Sequence, residues 1–521
     1  MDSIISEAEV PAWPRRPLAK EDGDTRSPDP NHARRWWLLI LLAMALSLGM
    51  RPIPWADSTG AVYGPISFLC EGNWDLDEFP FLYEREPHGG LIPSSSSPAR
   101  PSPGGDRVLA FTGLGAPLLA LPGAIPPLLV SSARSEIGVL RSHQLVVLLC
   151  TIALLWLSLR ALESWMERAP PAWVLPALFF GTVLWPQTRQ TLWSNQSTML
   201  GLGIVLWISA SHRTAGRSPG FTTGAALGLA MGHALLSRPS SLLISLPLLV
   251  ALGWIHRHTQ LRWLWSTAAT AAPLVALWLY DNQIHSGSPW VPPFAVVGAD
   301  IARVHGLGEG ALSGPPLPGL AGLLLSPSRG LLIFSPWLLA LSPQLLRSIR
   351  SPDPIRAALI TGITTTLLIN ANYTDWWGGD CWGPRRLQEL LPGLLMLSLP
   401  KGDEQDPYHA PQGGRLLAVL LTISVLIQGL GFFVYDSSWD LERGAVVSPE
   451  GEIHATADTS PMWAIGEGVL SHSLNKLLDG ELQFGWENQI SLAAGWRYQP
   501  QLPPCTILKQ VDRYPSAEPA R

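Results

Sequence analysis

The chain has 521 residues, of which 47% are hydrophobic and 14% charged, with 24 tryptophans and a formal net charge of −5 at pH 7. Soluble domains carry roughly 25% charged residues, so the composition predicts an all-α polytopic membrane protein. Its apolar blocks must satisfy their own backbone hydrogen bonds in a bilayer and are predicted to be helices. The charge balance gives no indication of a nucleic-acid partner, and four cysteines without CxxC spacing exclude a zinc or iron–sulfur framework.

The N-terminal segment, residues 1–35, is rich in Pro, Asp, Glu and Arg and has no apolar period, which predicts a disordered cytoplasmic tail. Arg34 and Arg35 directly precede the apolar run from Trp36 to Met50. That run lacks a small-residue cleavage site, so it is predicted to be a retained first span. Basic residues before a span hold its N-terminus in the cytoplasm, so the chain beyond the run is expected on the extracytoplasmic side.

A long first extracytoplasmic loop is predicted over residues 52–107, ending in the Ser/Pro/Gly-rich stretch "IPSSSSPARPSPGG". It carries Asp57 near its start, and later Asp75, Asp77 and Glu78. The last three acids resemble a metal-binding cluster, but we interpret them as the solvated face of a loop helix, and we expect no metal cofactor.

The next apolar piece runs from Phe111 to Val130 and contains four prolines. Prolines at that density break helices, so this piece is predicted to be a juxtamembrane or re-entrant element. Ten further spans follow the first one, which makes about 11 transmembrane helices. They are His143–Leu162, Ala172–Trp185, Ser197–Ala210, Thr222–Leu236, Ser240–Trp254, Leu261–Tyr280, Gly330–Leu346, Arg356–Ile369, Leu387–Leu399 and Leu416–Val434.

Alternating the sides of these spans places Arg and Lys residues at every short cytoplasmic loop, as the positive-inside rule requires. Arg329, Arg385 and Arg386 fall on the other side instead, next to Pro, Gly and Trp. Residues 436–521 are predicted to be an extracytoplasmic C-terminal tail.

The stretch "NYTDWWGGDCWGPRR", from Asn372 to Arg386, places acids, arginines, tryptophans and glycines between two apolar segments. Guanidinium groups can hold a departing phosphate while a carboxylate takes a proton from an acceptor hydroxyl. Glycines permit close backbone approach to a ligand, and tryptophans offer stacking faces for sugars or anchors at the membrane interface. The supporting residues of this interpretation are Asp375, Asp380, Trp376, Trp377, Gly378 and Gly379.

Five features together resemble the GT-C glycosyltransferase superfamily, the group around bacterial protein mannosyltransferases and aminoarabinose transferases. They are Asp57, "GNWDLDEF" at Gly72–Phe79, "SRPSSLL" at Ser237–Leu243, "SPSRGLLIFSP" at Ser326–Pro336 and "WWGGDCWGPRR" at Trp376–Arg386. The last two resemble a poorly characterised branch with SPSRGLL and WWGGxxxGPR motifs. The resemblance implies a GT-C-like transmembrane domain over residues 36–435.

The same resemblance implies an inverting transfer of a sugar from a polyprenyl-phosphate donor to a saccharide, lipid or protein acceptor. Asp57 would be the general base, and Arg329, Arg385 and Arg386 would bind the donor phosphate. It implies a multi-pass protein of the bacterial inner membrane, with a cytoplasmic N-terminus and an extracytoplasmic active site. Other partners would be the membrane lipids.

Each of these roles has a structural alternative. Asp57 has the sequence context of a helix cap, and Arg329 that of an interfacial side chain whose charged end reaches water. Asp375 and Asp380 are expected by default to neutralise the neighbouring arginines. Cys70 and Cys381 fall on the same predicted side, where a disulfide between them would be compatible with an oxidising compartment.

Two other functions remain open from the sequence. One is a polytopic transporter or flippase of lipid-linked saccharides, which would favour paired charges in mid-membrane. The unusual charges of this chain cluster instead at one predicted boundary. The other is a GT-C member that has lost catalysis and acts as a scaffold.

Overall fold

The computed structural model describes residues 30–50, 58–79, 84–85, 91–92, 99–101, 107–110, 112–130, 136–214, 218–258, 262–296, 299, 310–350, 353–379, 381–402, 414–436, 438–440, 446–447, 453–454 and 460–483. Asp57 and Asp380 lie outside these described residues, as do most of the N-terminal tail and the chain beyond residue 483. The predictions made for them are therefore not tested by the structure.

Helices dominate the described residues, which confirms the predicted helical class. In chain order they are α1 Pro30–Gly49, α2 Thr59–Glu71, α3 Gly115–Leu129, α4 Glu136–Met166, α5 Val174–Phe179, α6 Leu184–Gln187, α7 Ser194–Ser211, α8 Phe221–Ser237, α9 Leu242–Ile255, α10 Arg262–Ser286, α11 Pro316–Leu325, α12 Leu331–Phe334, α13 Trp337–Ala340, α14 Ser342–Ile349, α15 Pro354–Ala371, α16 Leu391–Ser398, α17 Gly414–Phe433, α18 Ser460–Trp463 and α19 Val469–Leu478. Short 3-10 helices cover Pro239–Ser241 and Arg385–Leu390.

Three short antiparallel ladders accompany the helices. They pair β1 (Glu84–Arg85) with β2 (Leu91–Ile92), β3 (Ala99–Pro101) with β4 (Val108–Ala110), and β5 (Val446–Val447) with β6 (Ile453–His454).

Three helices are long and apolar enough to cross a membrane, counting only the part of the chain that the structure describes: Gly138–Met166 within α4, α15 and α17. Each of the other predicted spans also coincides with helical structure, in helices that are shorter or less apolar. The total of 11 spans remains a prediction.

Two predicted spans are interrupted by backbone that is not helical. The span at Ala172–Trp185 divides into α5 and α6, and the span at Gly330–Leu346 divides into α12, α13 and α14. The breaks are stabilised by side chains that bind backbone carbonyls left without an intrahelical donor. Trp337 Nε1 and Ser335 Oγ both donate to the carbonyl of Gly181, at 3.0 and 2.9 Å. Interrupted backbone is tolerated in a bundle where protein groups supply the missing hydrogen bonds.

The proline-rich piece is a continuous helix, α3, so the expectation that its prolines break the helix is wrong. Pro122, Pro126 and Pro127 all lie inside it. The helix is closely packed: α3 lies against α2 and α4, and a Cβ at Gly123 would lie 3.0–3.1 Å from His143, closer than ordinary van der Waals contact. Packing against neighbouring helices commonly retains prolines in this way.

Small residues let the central helices approach each other closely. Gly224 and Gly228 on α8 face the backbone of α10. Across the same contact, Thr267 Oγ1 donates to the carbonyl of Gly224 at 2.9 Å and Thr270 Oγ1 to that of Ala225 at 3.0 Å. In a bilayer the lipid tails are as apolar as the side chains, so the hydrophobic effect does not drive helices together. Close packing at small residues and interhelical hydrogen bonds stabilise their association instead.

Residues of the first loop pack in a small core that also includes Ala124 of α3 and Val139 of α4. Val62 and Ile66 of α2 pack with Leu76, Phe79 and Val108. Cys70, at the end of α2, is disulfide-bonded, whereas Cys381 carries a buried thiol. A bridge between Cys70 and Cys381, which the sequence left open, is therefore absent.

Candidate functional site

The loop between α15 and the 3-10 helix at Arg385–Leu390 is built on left-handed glycines. Gly378 and Gly379 have φ of 84° and 70°, a region that side chains disfavour. A Cβ at Gly378 would lie 3.1 Å from Cγ of Arg386, and one at Gly379 would lie 3.6 Å from Nη2 of Arg385. The two glycines thus turn the chain and leave room for the two arginine side chains.

Asp375 positions Arg386. The Arg386 Nη2 atom donates to Asp375 Oδ1 at 2.6 Å, and its Nε atom donates to the Asp375 carbonyl at 3.1 Å. The guanidinium carbon also lies 4.3 Å from the ring centroid of Tyr373. A carboxylate and an aromatic face therefore fix the plane of this guanidinium group.

Arg385 contacts different residues, which lie at the start of α7. Its guanidinium carbon lies 4.2 Å from the ring centroid of Trp193, which is buried just before α7. The Arg385 carbonyl accepts a hydrogen bond from Asn195 Nδ2 at 2.6 Å. Both the side chain and the backbone of Arg385 are thus held by the start of α7.

A third arginine, Arg238, joins these two and is absent from the predicted site residues. It directly follows α8, and its charge interacts with those of Arg385 and Arg386. Its Nη1 atom lies 3.7 Å from Glu389 Oε2, and neither atom has a hydrogen-bond partner although both are buried. Arg238, Arg385 and Arg386 are called the arginine cluster below.

The sequence did contain a signal for Arg238. It lies in the "SRPSSLL" motif, between two predicted spans and on the side where the positive-inside rule expects few arginines. That is the same exception that singled out Arg385 and Arg386. Glu389 also carried a signal, because an ionisable residue inside an otherwise apolar predicted span indicates a functional site or a charged partner.

Arg329 has other partners. Its side chain is 1% exposed, and its Nη2 atom donates to the carboxylate of Asp440, which also accepts from the hydroxyl of Tyr435. Its Nη1 atom donates to the Ser328 carbonyl at 2.9 Å, and the guanidinium carbon lies 5.3 Å from the Trp439 ring centroid. These contacts join the loop before α12 to the chain that follows α17.

The two adjacent tryptophans of the loop differ in environment. Trp376 is 3% exposed and packs against Gly322 of α11, where an added Cβ would lie 2.5 Å from the ring. It also contacts Trp377 and Trp463, with ring centroids 5.8 and 6.0 Å apart. Trp376 is therefore packed inside the protein, whereas Trp377 is half-buried.

Ser58, the residue after Asp57, is the first described residue of this part of the chain. Ser58 is buried and starts the turn into α2, and Thr191 Oγ1 donates to Ser58 Oγ at 2.5 Å. Thr191 lies two residues before Trp193, which stacks on Arg385. The segment that holds Arg385 thus also contacts the residue after Asp57.

The acids of the first loop are buried, which corrects the expectation of a solvated helix face. Asp75 and Glu78 are 5% and 8% exposed and lie in a non-helical turn. Asp77 Oδ1 accepts from the Val108 backbone at 2.6 Å, and Ser67 Oγ donates to Glu78 Oε1 at 3.0 Å. Among the described residues, no group of three His, Cys, Asp or Glu side chains is arranged to hold a metal ion.

Burial changes how these carboxyl groups titrate. It raises the pKa of Asp75 to about 6, and the neighbouring charge of Asp77 adds to the shift. Burial likewise raises the pKa of Glu78 above its ordinary value. In the loop after α15, burial raises the pKa of the Tyr373 phenol above its ordinary value.

No protein-family model matches the sequence, and no curated protein matches it. Among solved structures, the chain is similar to ArnT from Cupriavidus metallidurans bound to undecaprenyl phosphate, with 14% sequence identity and a TM-score of 0.44. The similarity covers 71% of this chain and 60% of that one.

Glu78→Gln should change how stability depends on pH. The folded chain holds a proton on Glu78 that the unfolded chain releases, so stability is full below the ordinary glutamate pKa and is lost as pH rises through the raised one. We expect the variant to melt at a higher temperature than the parent at mildly alkaline pH, with a flatter pH dependence. Thermal unfolding in detergent across a pH series measures this, and identical slopes in the two proteins would contradict it.

Proposed function

We propose that the protein is a membrane glycosyltransferase of the GT-C type, which moves a sugar from a polyprenyl-phosphate donor to an acceptor and inverts the anomeric carbon. The observation that carries the proposal is the convergence of the arginine cluster at the end of α8 and the start of the Arg385–Leu390 helix. The sequence motifs around these arginines support the same superfamily.

The cluster suits a phosphate group. Guanidinium groups this close repel one another, and a bound anion offsets that repulsion. Planar guanidinium groups bind phosphate oxygens through two parallel N–H donors. Arg238 Nη1 is buried without a hydrogen-bond partner, so it has a donor to offer. Asp375 and Tyr373 hold Arg386 in a fixed plane, which lowers the entropy that binding would cost.

In the proposed reaction, Asp57 takes the proton of the acceptor hydroxyl as the oxygen attacks the anomeric carbon. The bond from that carbon to the phosphate oxygen breaks, and its electron pair leaves with the polyprenyl phosphate. The arginine cluster stabilises the charge that develops on the leaving phosphate. The contact between Ser58 and Thr191 supports the idea that Asp57 and Arg385 share one cavity, since Thr191 is close to Trp193.

Arg329 receives a different role from that implied by the family resemblance. Its ion pair with Asp440 and its stacking on Trp439 favour a structural contact over direct binding of the donor phosphate. We propose that Arg329 holds the chain after α17 against the loop before α12. No metal is part of the proposed reaction.

We place the site on the extracytoplasmic side of the inner membrane, with a cytoplasmic N-terminus. The disulfide at Cys70 supports this side for the first loop, since disulfides persist in oxidising compartments. Ser313 is exposed in the loop before α11 and Arg350 is exposed after α14. A membrane-impermeant thiol reagent should label Ser313→Cys in intact cells and label Arg350→Cys only after permeabilisation. The reverse pattern would place the arginine cluster in the cytoplasm and contradict the proposal.

Replacing Arg238 or Arg385 by lysine should weaken donor binding more than a charge count suggests. Lysine keeps the charge but loses the planar pair of donors. Losing one charge-assisted hydrogen bond costs about 1.5–3 kcal/mol, which is roughly tenfold to a hundredfold in the Kd for polyprenyl phosphate.

Arg257→Lys is the matched control for these variants, because Arg257 also stacks on a tryptophan, Trp254, at 4.4 Å but lies outside the cluster. Titration of each purified variant with polyprenyl phosphate in nanodiscs gives the three Kd values. If Arg238→Lys and Arg385→Lys both bind polyprenyl phosphate with the Kd of the parent, the arginine cluster does not bind the donor.

Asp57→Asn should separate binding from chemistry. The substitution keeps the size of the side chain and removes the base, so turnover should fall by several orders of magnitude while the Kd for the donor stays near that of the parent. The measurement is release of polyprenyl phosphate from a panel of lipid-linked sugars, beside donor binding in the same membranes. A variant that turns over like the parent would exclude Asp57 as the base.

A further inference from the structure

Helix α19 has three distinct sides. One side packs on the protein through Val469 and Ser473, which are buried. Lys476 lies on the same side, and its Nζ atom binds Asp436 Oδ2 at 2.7 Å. A second side carries leucines, and a third carries the polar Ser471 and Asn475. A helix with a protein side, an apolar side and a polar side fits a boundary between protein, lipid and water.

The leucine side is open. Leu474, Leu477 and Leu478 follow the helical spacing i, i+3, i+4, and their exposed fractions are 46%, 39% and 76%. Ile465 before the helix and Leu482 after it are also exposed, at 78% and 44%. Apolar residues grouped in this way on an exposed helix mark a contact surface rather than isolated surface residues.

The position of α19 identifies what covers that side. The helix packs against α17, one of the helices apolar and long enough to cross a membrane. The Gln483 backbone N–H, just beyond α19, donates to the Phe433 carbonyl at the end of α17, at 2.9 Å. Asp436, which holds Lys476, lies three residues after that end. Helix α19 therefore lies at the level where the apolar span stops.

Helix α17, on which α19 packs, also has an exposed apolar face. Only 28% of the apolar window of α17 is buried inside the protein, and Val419, Ile423 and Leu426 are exposed along it. We infer that α19 is an interfacial helix, whose leucines enter the outer boundary of the bilayer hydrocarbon while Ser471 and Asn475 face water. The basic residue of the helix, Lys476, is bound to Asp436, so insertion depends on apolar contact rather than on anionic headgroups.

The segment that carries α19 also contacts the candidate site. Trp463 packs on Trp376 of the glycine-rich loop, and the Ser326 hydroxyl donates to the Met462 carbonyl at 2.6 Å. The Val469 backbone N–H donates to Ser328 Oγ, next to Arg329, at 3.3 Å. Insertion of α19 would thus fix the depth of these loops relative to the membrane surface.

Spin labels on Leu478→Cys and Asn475→Cys test the inference in full-length protein in nanodiscs of zwitterionic lipid. These positions lie on the leucine side and the polar side of one helix, so each is the control for the other. The parent, whose Cys150 and Cys381 thiols are buried, gives the background labelling. We expect the label at 478 to collide with oxygen more and with a water-soluble nickel chelate less than the label at 475, with or without added anionic lipid.

Equal access of the nickel chelate to both positions would overturn the inference, because α19 would then be in water. Protection of position 478 from both reagents would also overturn it, because a second copy or another protein would then cover the leucines. The measurement is independent of donor binding and turnover, so its result does not depend on the proposed glycosyltransferase activity.

Discussion

A guanidinium group that leaves bulk water must be bound by oxygen atoms or aromatic faces, because an unpaired charge in a low-dielectric interior is very costly. This constraint organises one end of the molecule. Arg189 is fully buried, and its Nη1 atom donates to the carbonyls of Phe432 and Tyr435, where α17 ends. Arg329 is bound by Asp440. Each of these arginines binds a part of the chain that is distant in sequence. Buried cations thus stabilise the end of the helix bundle at which α17 ends.

The guanidinium groups of the arginine cluster also need partners, and aromatic rings supply part of them. Its members are held by Trp193, Tyr373, Asp375 and Glu389, which come from several separate segments. Aromatic faces stabilise a cation without using its N–H donors. The cluster differs from the buried pair of Arg329 and Asp440 because it brings three cations to one place.

The apolar pattern of the sequence predicts the helical class and the approximate position of each helix, because burial in lipid and backbone hydrogen bonding leave few alternatives. It fails where packing overrides local propensity. The prolines of α3 are retained by neighbouring helices, and the breaks around Ser335 are stabilised by partners more than 150 residues away, such as Gly181. Neither effect has a local signature in the sequence.

The candidate site is predicted in part for a similar reason. Arginines at unexpected ends of spans pointed to Arg385 and Arg386, and the same criterion applied to every loop would have included Arg238. The role of Arg329 could not be predicted, since Asp440 is 111 residues away in the chain and in a segment without apolar periodicity. The buried acids Asp75 and Glu78 were assigned to the surface because charge alone does not reveal a surrounding core.

Gln428 links the last span to the glycine-rich loop. It lies in the apolar helix α17, where Oε1 accepts from Trp382 Nε1 at 3.1 Å and Nε2 donates to the Phe334 carbonyl at 2.8 Å. A single amide thus joins α17, α12 and the turn that precedes Arg385. With both hydrogen bonds shielded from water, these three elements are expected to move as one rigid body. Any tilt of α17 in a thicker or thinner bilayer would then be transmitted to the arginines, which makes the site sensitive to membrane thickness.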